Sequence, residues 1–537
     1  MHRLFCRISI FAGIAGLALP AVAAGADAAC TSAFKTVPVL VRKAYNPLCR
    51  IKIECRETVQ AASLLVKTEG TDDLKDVKSF RVYYAGAKDP YALEAQSDKL
   101  DPLKPFGSAQ PAAAAMTFSA PLELAAGTHY FVVSCELQDK ADPFHRVRAA
   151  VAELRLAGGT VLKPVPEPRT DGGDGRLRIG IALRKGGDDG SVAYRIPGLA
   201  VTKAGTLIAV YDIRYKNGGD LPGRIDVGMS RSVDGGRTWA PMKTIMDMGD
   251  HDKFSGNGIG DPTVLVDHKT GVTWVAALWS HGNRSIHGSG PGFTPEESGQ
   301  FMLVKSTNDG RSWSKPESIT PQIKQREWKI VFQGPGMGIT TRAGVLVFPA
   351  QYWDAKKMPY STIACSRDGG KTWKLQEGPK SNTTEAQVVE LSDGTLMLNM
   401  RDNRGGSRSV YTTKDFGATW EEHPTSRKAL PEPVCMASLI RFDPKGLLLF
   451  SNPATRGGRT HMTIKVSSDD GMTWPENRYT LVDELGSAGY SCMAQIDART
   501  VGILYEGSRA ALVFQAFRID ELAPDTASTK AERGTGK

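Results

Sequence analysis

Two charged residues stand in stretches of the sequence that are otherwise apolar and strand-like. Arg195 lies just before Pro197, and Glu506 directly follows Tyr505. A charged group buried without a partner is costly, so neither side chain is expected to be isolated inside the fold. Guanidinium groups bind carboxylates in a planar, bidentate way and keep their charge at any relevant pH. The pattern therefore indicates paired charges inside the fold, and it is compatible with a small acidic substrate.

The elements that must position these residues are marked by a repeat. The pattern Ser/Thr-x-Asp/Asn-x-Gly-x-Thr/Ser-Trp occurs five times, at intervals of 47 to 74 residues, at 232–239, 306–313, 366–373, 413–420 and 467–474. Asp and Ser side chains bond backbone N–H groups nearby, Gly adopts a conformation that other residues resist, and Trp packs under the turn. Each repeat is expected to close a hairpin, and no catalytic role is assigned to it.

Each interval has room for about four short strands, which is one blade of a β-propeller. Strands are predicted at 194–202, 206–213 and 225–232 before the first repeat, and at 491–496, 501–506 and 511–519 after the last. Five blades with a repeat and one without give six. The alternating run 177–183 is expected to supply the strand that closes the ring.

The chain before the propeller has a different character. Residues 30–165 contain no Trp and several alternating runs, such as 79–84 and 128–136, and are predicted to form a small β-sandwich. This domain is interpreted either as a sugar-binding module or as a spacer. A Pro- and Gly-rich linker at 166–175 leads to a propeller at 176–520 and a flexible tail at 521–537, so the whole chain is predicted to be all-β.

The first 26 residues resemble a secretory signal peptide. Arg3 and Arg7 precede an apolar run at 8–19, and small residues follow at 21–23. The run is short for a membrane-spanning helix, and export to the periplasm, cell surface or medium is preferred to lipid attachment at Cys30. No later stretch is apolar and long enough to span a membrane.

Composition narrows the classes of partner and cofactor. The formal net charge of +9 on 537 residues is too weak to imply nucleic acid, and the nine His residues lack metal-ligand spacing, so no metal or other cofactor is expected. The cysteines of the sandwich domain can form one or two disulfides, whereas those of the propeller are expected to be buried thiols. The sandwich cysteines are Cys30, Cys49, Cys55 and Cys135, and the propeller cysteines are Cys365, Cys435 and Cys492.

With these residues in place, the stretch 176–519 resembles the bacterial exo-α-sialidases (neuraminidases) with Asp-box (BNR) repeats, and the preceding segment resembles their N-terminal accessory domain. The resemblance rests on the Arg195-Ile-Pro motif together with scattered polar residues in the family's order. It implies that Arg195, Arg401 and Arg459 bind the carboxylate of sialic acid, with Arg456 as a competitor for the third position. It also implies that Glu506 orients Arg195.

The same resemblance assigns the chemistry. Tyr490 matches the nucleophile, a phenol that avoids the like-charge repulsion a carboxylate would meet at this anomeric carbon. Glu385 matches the base that activates Tyr490, and the nearby Glu390 is expected on the opposite face of its strand. Asp220 matches the acid/base and is preferred to Asp226. Its pKa must be raised, by burial or by neighbouring carboxylates, for it to act as an acid near neutral pH.

Further contacts complete the expectation. Arg214 would reach the 4-hydroxyl side of the sugar, Asp261 would accept hydrogen bonds from the N-acetyl or 4-hydroxyl group, and Trp279 is a candidate for the acetyl pocket, equally well explained as a core residue. The implied enzyme is a retaining exo-α-sialidase acting on sialylated glycoproteins, glycolipids and oligosaccharides, mucin-type glycans included. The alternatives are a non-catalytic sialoglycan-binding propeller and a trans-sialidase. The oligomeric state is not predicted.

Overall fold

The structure, a computed structural model, describes residues 28–92, 103–169, 173–249, 256–282, 284–443 and 445–524. The predicted signal peptide and the part of the predicted tail beyond residue 524 lie outside these residues, whereas the predicted tail residues Glu521 and Leu522 belong to a one-turn helix. The described chain is built almost wholly of strands, as the alternating patterns predicted. No helix in the described part is long and apolar enough to cross a membrane.

The strands before Leu177 form the N-terminal domain. They are β1 Ala28–Ala33, β2 Val39–Val41, β3 Asn46–Cys55, β4 Val59–Lys67, β5 Val77–Gly86, β6 Lys104–Pro105, β7 Gln110–Pro111, β8 Ala115–Leu124, β9 Gly127–Leu137, β10 Arg146–Val147, β11 Ala150–Leu156, β12 Val161–Leu162 and β13 Val165–Pro166. One sheet has the order β13-β1-β3-β9-β5-β6, with β7 also paired to β5, and the other has the order β12-β11-β4-β8. Phe80 and Phe131 of the first sheet share a buried core with Leu64 and Phe118 of the second, which makes a β-sandwich.

The remaining strands form the propeller. They are β14 Leu177–Arg184, β15 Ala193–Val201, β16 Leu207–Arg214, β17 Ile225–Ser232, β18 Lys243–Met246, β19 Gly258–Val266, β20 Thr273–Ser280, β21 Gln300–Ser306, β22 Glu317–Ser318, β23 Ile330–Gln333, β24 Gly336–Met337, β25 Ile339–Thr340, β26 Leu346–Trp353, β27 Pro359–Ser366, β28 Lys374–Leu375, β29 Thr383–Glu390, β30 Leu396–Asp402, β31 Gly406–Ser407, β32 Ser409–Thr413, β33 Glu421–Glu422, β34 Pro431–Glu432, β35 Ser438–Phe442, β36 Leu447–Pro453, β37 Met462–Ser467, β38 Tyr479–Asp483, β39 Ser491–Gln495, β40 Thr500–Tyr505 and β41 Leu512–Arg518. Two one-turn helices, α1 Thr320–Ile323 and α2 Ile519–Leu522, and 3₁₀ turns at Leu74–Asp76, Pro90–Ala92, Asp188–Gly190 and Glu476–Arg478 complete the described elements.

Within the described residues from 177 onward, six sheets of at least four strands follow one another, and a two-stranded ribbon, β31-β34, lies outside them. The inner strand β15 contacts β19, and β19 contacts β23. The next sheet follows through the contact of β26 with β29, after which β29 contacts β35, β35 contacts β39, and β39 returns to β15. The sixth sheet has the order β14-β41-β40-β39, so β14 closes the ring, as predicted. The predicted strands around the first and last repeats agree with the structure to within one residue at each end.

The five repeats join the third and fourth strands of five blades, and the first shows how. Ser232 Oγ donates to Asp234 and accepts from Gly236 N at 2.9 Å, while Asp234 accepts from the backbone and hydroxyl of Thr238 at 2.9 and 2.6 Å. Gly236 has a φ of +89°, which a residue with a side chain rarely adopts. The predicted turn is confirmed in detail.

The expectation of disulfides is wrong for the described residues. All four cysteines of the sandwich are buried free thiols, because across its antiparallel strand pair each lies opposite a residue other than cysteine. The cysteines of the propeller are buried free thiols, as expected.

The sandwich is joined to the propeller through shared strands. β2 forms a parallel pair with β14, and β10 forms an antiparallel pair with β14. Both strands therefore extend the sixth sheet of the propeller. Val39 and Val41 of β2 are buried together with Ile181 of β14. The N-terminal domain is therefore fixed to the blade that contains β39 and β40.

Candidate active site

The predicted site residues gather where the inner strands begin. The register of three blades is interrupted at this end, between Arg195 and Gly198, between Gly260 and Thr263, and between Thr383 and Ala386. Such bulges re-aim side chains at the end of a strand. They occur at or beside Arg195, Asp261 and Glu385, so three blades place polar groups around one opening.

Tyr490, Glu385 and Arg401 form a hydrogen-bonded group. The Tyr490 hydroxyl donates to Glu385 Oε1 in a short contact, and Arg401 Nη1 donates to Glu385 Oε2 at 2.6 Å and to the Tyr490 oxygen at 3.0 Å. Burial, followed by the Glu385 carboxylate, raises the pKa of Tyr490 well above its ordinary value, and Arg401 opposes this shift. The phenol is therefore protonated at rest, with its proton held against a carboxylate.

Glu506 lies behind Arg195 and Tyr490 and is fully buried. Its Oε1 accepts hydrogen bonds from Arg195 Nε at 2.6 Å and from Ile196 N at 3.0 Å, and its Oε2 accepts from Tyr490 N at 2.9 Å. Ile196 has a φ of +59°, a left-handed conformation that its N–H bond to Glu506 helps to hold. One carboxylate thus fixes both an arginine and the backbone of the tyrosine.

Two further arginines complete the group. The guanidinium carbons of Arg195 and Arg459 lie 5.4 and 5.7 Å from the centre of the Tyr490 ring. Arg459 also donates to the backbone carbonyl of Ala488 at 2.8 Å. Its competitor Arg456 is exposed and donates to the carbonyl of Gly406 instead. The geometry therefore brings Arg195, Arg401 and Arg459 together around Tyr490, and leaves Arg456 outside.

Asp220 lies on the same side, held by arginines. Arg214 Nη1 donates to Asp220 Oδ1 at 2.7 Å, and Arg195 Nη1 lies 3.9 Å from the same oxygen. Burial was one of the two features expected to let Asp220 act as an acid. The protein alone does not bury this side chain, which is 73% exposed. The rival Asp226 is buried in β17 and accepts from the Tyr215 hydroxyl at 2.9 Å.

Asp212 is a site residue that the sequence analysis missed. It is fully buried, accepts from Arg214 Nη2 at 2.8 Å, and accepts from the backbone N–H of Asp261 at 2.8 Å. It precedes Arg214 by two residues in β16, so both side chains point the same way. Two charged residues at that spacing in an apolar strand were a signal for it.

Asp261 has a backbone φ of +58°, held in part by its N–H bond to Asp212. Burial raises the pKa of Asp261 well above its ordinary value, the carboxylates of Asp212, Asp220 and Glu385 add to this, and Arg214 opposes it. A carboxyl group that keeps its proton can donate as well as accept a hydrogen bond. This suits contact with a sugar hydroxyl.

The floor under Tyr490 is apolar and was also missed. Ile196, Cys435 and Met436 are buried against Tyr490 in one cluster. Gly489 precedes Tyr490 with a φ of +88°, and a Cβ there would lie 3.1 Å from Cys435 Sγ. The floor excludes water from one side of the phenol, which no local pattern in the sequence indicates.

Two other candidates lie apart. The Trp279 ring contacts His281, with 5.3 Å between ring centres, and packs against the apolar cluster of the first two blades. Its role in an acetyl pocket stays a prediction. Glu390 lies at the far end of β29 and accepts from Arg342 N at 2.8 Å. A cavity of about 820 Å³ at that far end is lined by Val201, Val266 and Glu390 and by none of the predicted site residues.

Residues 28–160 match the family described as the N-terminal domain of BNR-repeat neuraminidase, and residues 205–503 match the BNR repeat-like domain. A sialidase from Bacteroides fragilis (strain YCH46) is 41% identical over 90% of this chain and 94% of its own length. A sialidase from Micromonospora viridifaciens is 33% identical over 66% of this chain and 56% of its own length.

The solved structure of Hadza microbial sialidase Hz136 is 41% identical and superposes with a TM-score of 0.85, over 91% of this chain and 99% of that one. An intramolecular trans-sialidase from Ruminococcus gnavus, solved with oseltamivir carboxylate, superposes with a TM-score of 0.54 at 19% identity, over 64% of this chain and 98% of that one. At that identity the likeness concerns the fold alone.

Proposed function

Because the chain belongs to the family of BNR-repeat sialidases and is by that membership an exo-α-sialidase, we propose that it removes terminal sialic acid with retention, through a covalent tyrosyl intermediate. The observation that supports this most directly is the Tyr490 hydroxyl, which donates to Glu385 while Arg401 contacts both groups. A binding protein needs the arginines but has no use for a phenol bonded to a base.

In this proposal the substrate carboxylate lies over Tyr490 between Arg195, Arg401 and Arg459. Three fixed guanidinium groups bind a carboxylate strongly and set the anomeric carbon above the phenol. Their positive field also favours the phenolate that forms as Tyr490 attacks. In the same proposal Arg214 contacts the 4-hydroxyl side of the sugar, and Asp261 contacts the N-acetyl or 4-hydroxyl group.

The first step joins Tyr490 to the sugar. The Tyr490 oxygen forms a bond to the anomeric carbon as its proton passes to Glu385, and the bond to the leaving oxygen breaks as that oxygen takes a proton from Asp220. Asp220 is exposed in the free enzyme, so the substrate must cover it. Covering it with sugar keeps bulk water away from the proton that Asp220 transfers.

The second step releases the sugar. Asp220, now a carboxylate, takes a proton from water, and the water oxygen attacks the anomeric carbon. The bond to Tyr490 breaks, and the phenolate recovers its proton from Glu385. Two inversions at one carbon give net retention.

We further propose that the substrates are sialylated glycoproteins, glycolipids and oligosaccharides outside the cytoplasm. Export is supported by the basic and apolar segments before residue 27, as a sequence pattern only. Such substrates are found at cell surfaces and in secretions.

The test is turnover of a fluorogenic sialoside by the full chain and by Tyr490→Phe and Asp220→Ala. We expect Tyr490→Phe to lose at least about 10³-fold in kcat, because it removes only the nucleophilic oxygen. Arg456→Lys serves as the control for an exposed residue nearby. Sialoside binding without turnover in the parent would support a lectin instead, and mass analysis of the product would distinguish hydrolysis from transfer.

A further inference from the structure

The segment between β38 and β39 carries Tyr490 at its end and is held by the N-terminal domain. Glu484 in this segment forms an ion pair with Lys35. The Glu484 side chain accepts from Thr36 N at 3.2 Å, and the Glu484 backbone N–H donates to the Thr36 carbonyl at 2.7 Å. The Glu484 side chain is only 12% exposed, so this contact is largely shielded from water. It lies six residues from the tyrosine.

The same segment holds Arg459. The Glu484 carbonyl accepts from His461 N at 3.3 Å, and the Arg459 carbonyl accepts from Ser487 N at 3.0 Å. Arg459 Nη1 in turn donates to the Ala488 carbonyl at 2.8 Å. The loops of Arg459 and Tyr490 are thus bonded to each other, and neither lies in a strand at these positions. An anchor on one loop positions both.

A second contact reaches the loop of Glu506. Asp483 is buried and accepts from Ser508 N at 2.8 Å and from Ser508 Oγ at 2.7 Å. Arg509, which follows Ser508 in the chain, is also buried. Its guanidinium carbon lies 5.4 Å from the ring centre of Tyr45 in the N-terminal domain. In addition to the strand pairing of β2 with β14, the N-terminal domain therefore contacts the segment that ends at Tyr490 and the loop that begins at Glu506.

From this arrangement we propose that the N-terminal domain helps to position the active-site residues Tyr490 and Arg459. The positioning residues are Lys35, Thr36 and Glu484. The inference rests on the proposed function, in which Tyr490 is the nucleophile. Loops without strand pairing are free to shift unless tertiary contacts hold them, and a displacement of about 1 Å at a reacting atom can cost about 100-fold in rate. The role differs from both a sugar-binding module and a spacer.

The experiment uses the full chain with Glu484→Ala, Glu484→Gln and Lys35→Met. The matched controls are Glu136→Ala and Lys78→Met, which break a Lys–Glu pair with an N–O distance of 2.8 Å within the sandwich. Each variant is assayed for kcat and KM on a fluorogenic sialoside well below its melting temperature, and its melting temperature is measured separately. This separates the activity of folded enzyme from the amount that is folded.

We expect Glu484→Ala to lower kcat about tenfold and to raise KM, because both Tyr490 and Arg459 shift. Glu484→Gln should stay within about threefold of the parent, since its amide oxygen still accepts from Thr36 N. Lys35→Met should fall between them, and the two controls should match the parent.

A Glu484→Ala enzyme with parental kcat and KM would overturn the inference, whatever its melting temperature, and would leave the domain as a support. An equal loss in the sandwich controls would overturn it too. The Tyr490→Phe variant in the same assay separates the two proposals. If that variant is inactive and Glu484→Ala is not, only the positioning role fails, whereas an active Tyr490→Phe removes the proposed function itself.

Discussion

Replacement of Glu506 by Gln gives a direct measure of how far one carboxylate organises the site. Glu506 has two oxygens for three close donors, the Nε of Arg195 and the backbone N–H groups of Ile196 and Tyr490. Glutamine has one acceptor oxygen, and its amide nitrogen must face one of these donors. The charge that balances buried Arg195 is lost at the same time.

Hydrogen bonds to a charged group contribute about 1.5–3 kcal/mol, and breaking a buried ion pair by removing one partner costs about 3–5 kcal/mol. We take about 3 kcal/mol for Glu506→Gln, because the carbon skeleton and one acceptor remain. If this whole interaction free energy is lost from the stabilisation of the transition state, kcat/KM falls about 100-fold, at about 1.4 kcal/mol for each factor of ten. The free energy of unfolding in urea should fall by a similar amount.

The matched control for Glu506→Gln is Asp309→Asn. Asp309 is a mostly buried carboxylate that accepts from Arg231 and from the Thr206 hydroxyl, both at 2.7 Å. It lies near the far end of β15, away from Tyr490. This variant should lose stability with kcat/KM unchanged. If Glu506→Gln keeps kcat/KM within about threefold of the parent, the argument that Glu506 positions Arg195 and Tyr490 is refuted.

Three further predictions concern the arginine pair, a turn and pH. Arg459→Lys should raise KM at least about tenfold because a planar two-point contact is lost, while Arg456→Lys should change KM less than twofold in the same steady-state assay. Gly370→Ala should cost about 1–3 kcal/mol more in urea unfolding than Gly369→Ala. Both glycines have positive φ, but only at 370 would a Cβ meet a neighbouring indole, at 2.4 Å. Burial raises the pKa of Asp483 from 3.8 to about 6, so the folded state binds this proton more tightly than the unfolded state. The free energy of unfolding should therefore fall by up to about 3 kcal/mol as pH rises from 4 to 6. Urea unfolding of Asp483→Asn should lack this part of the pH dependence, and an unchanged dependence would contradict the assignment.

The sequence predicted what depends on local pattern. The repeat at 232–239 specifies its turn through side chains two to four residues apart, and the alternation of apolar residues fixed the strands around it to within a residue. Arg195 and Glu506 could each be predicted to need a partner inside the fold, because each stands in an apolar stretch. A family resemblance then supplied roles that no single residue type reveals.

What the sequence could not predict depends on contacts between distant segments. Cys435 under Tyr490 and Thr36 against Glu484 look ordinary in the sequence, because their meaning lies in what packs on them. The exposure of Asp220 is likewise a property of the opening and not of its neighbours in the chain. The disulfide expectation failed for the same reason, since cross-strand register decides which cysteines meet.

The closure of the ring by β14 has a consequence for how the enzyme is made. In the sixth sheet β14 lies beside β41, and the strands of that sheet come from opposite ends of the propeller sequence. The sheet that adjoins Tyr490 therefore cannot form until the chain has been synthesised to about residue 518, after all five other blades. Translation that stops before β41 yields a chain without a closed ring. The candidate active site is thus among the last parts of the protein to be assembled.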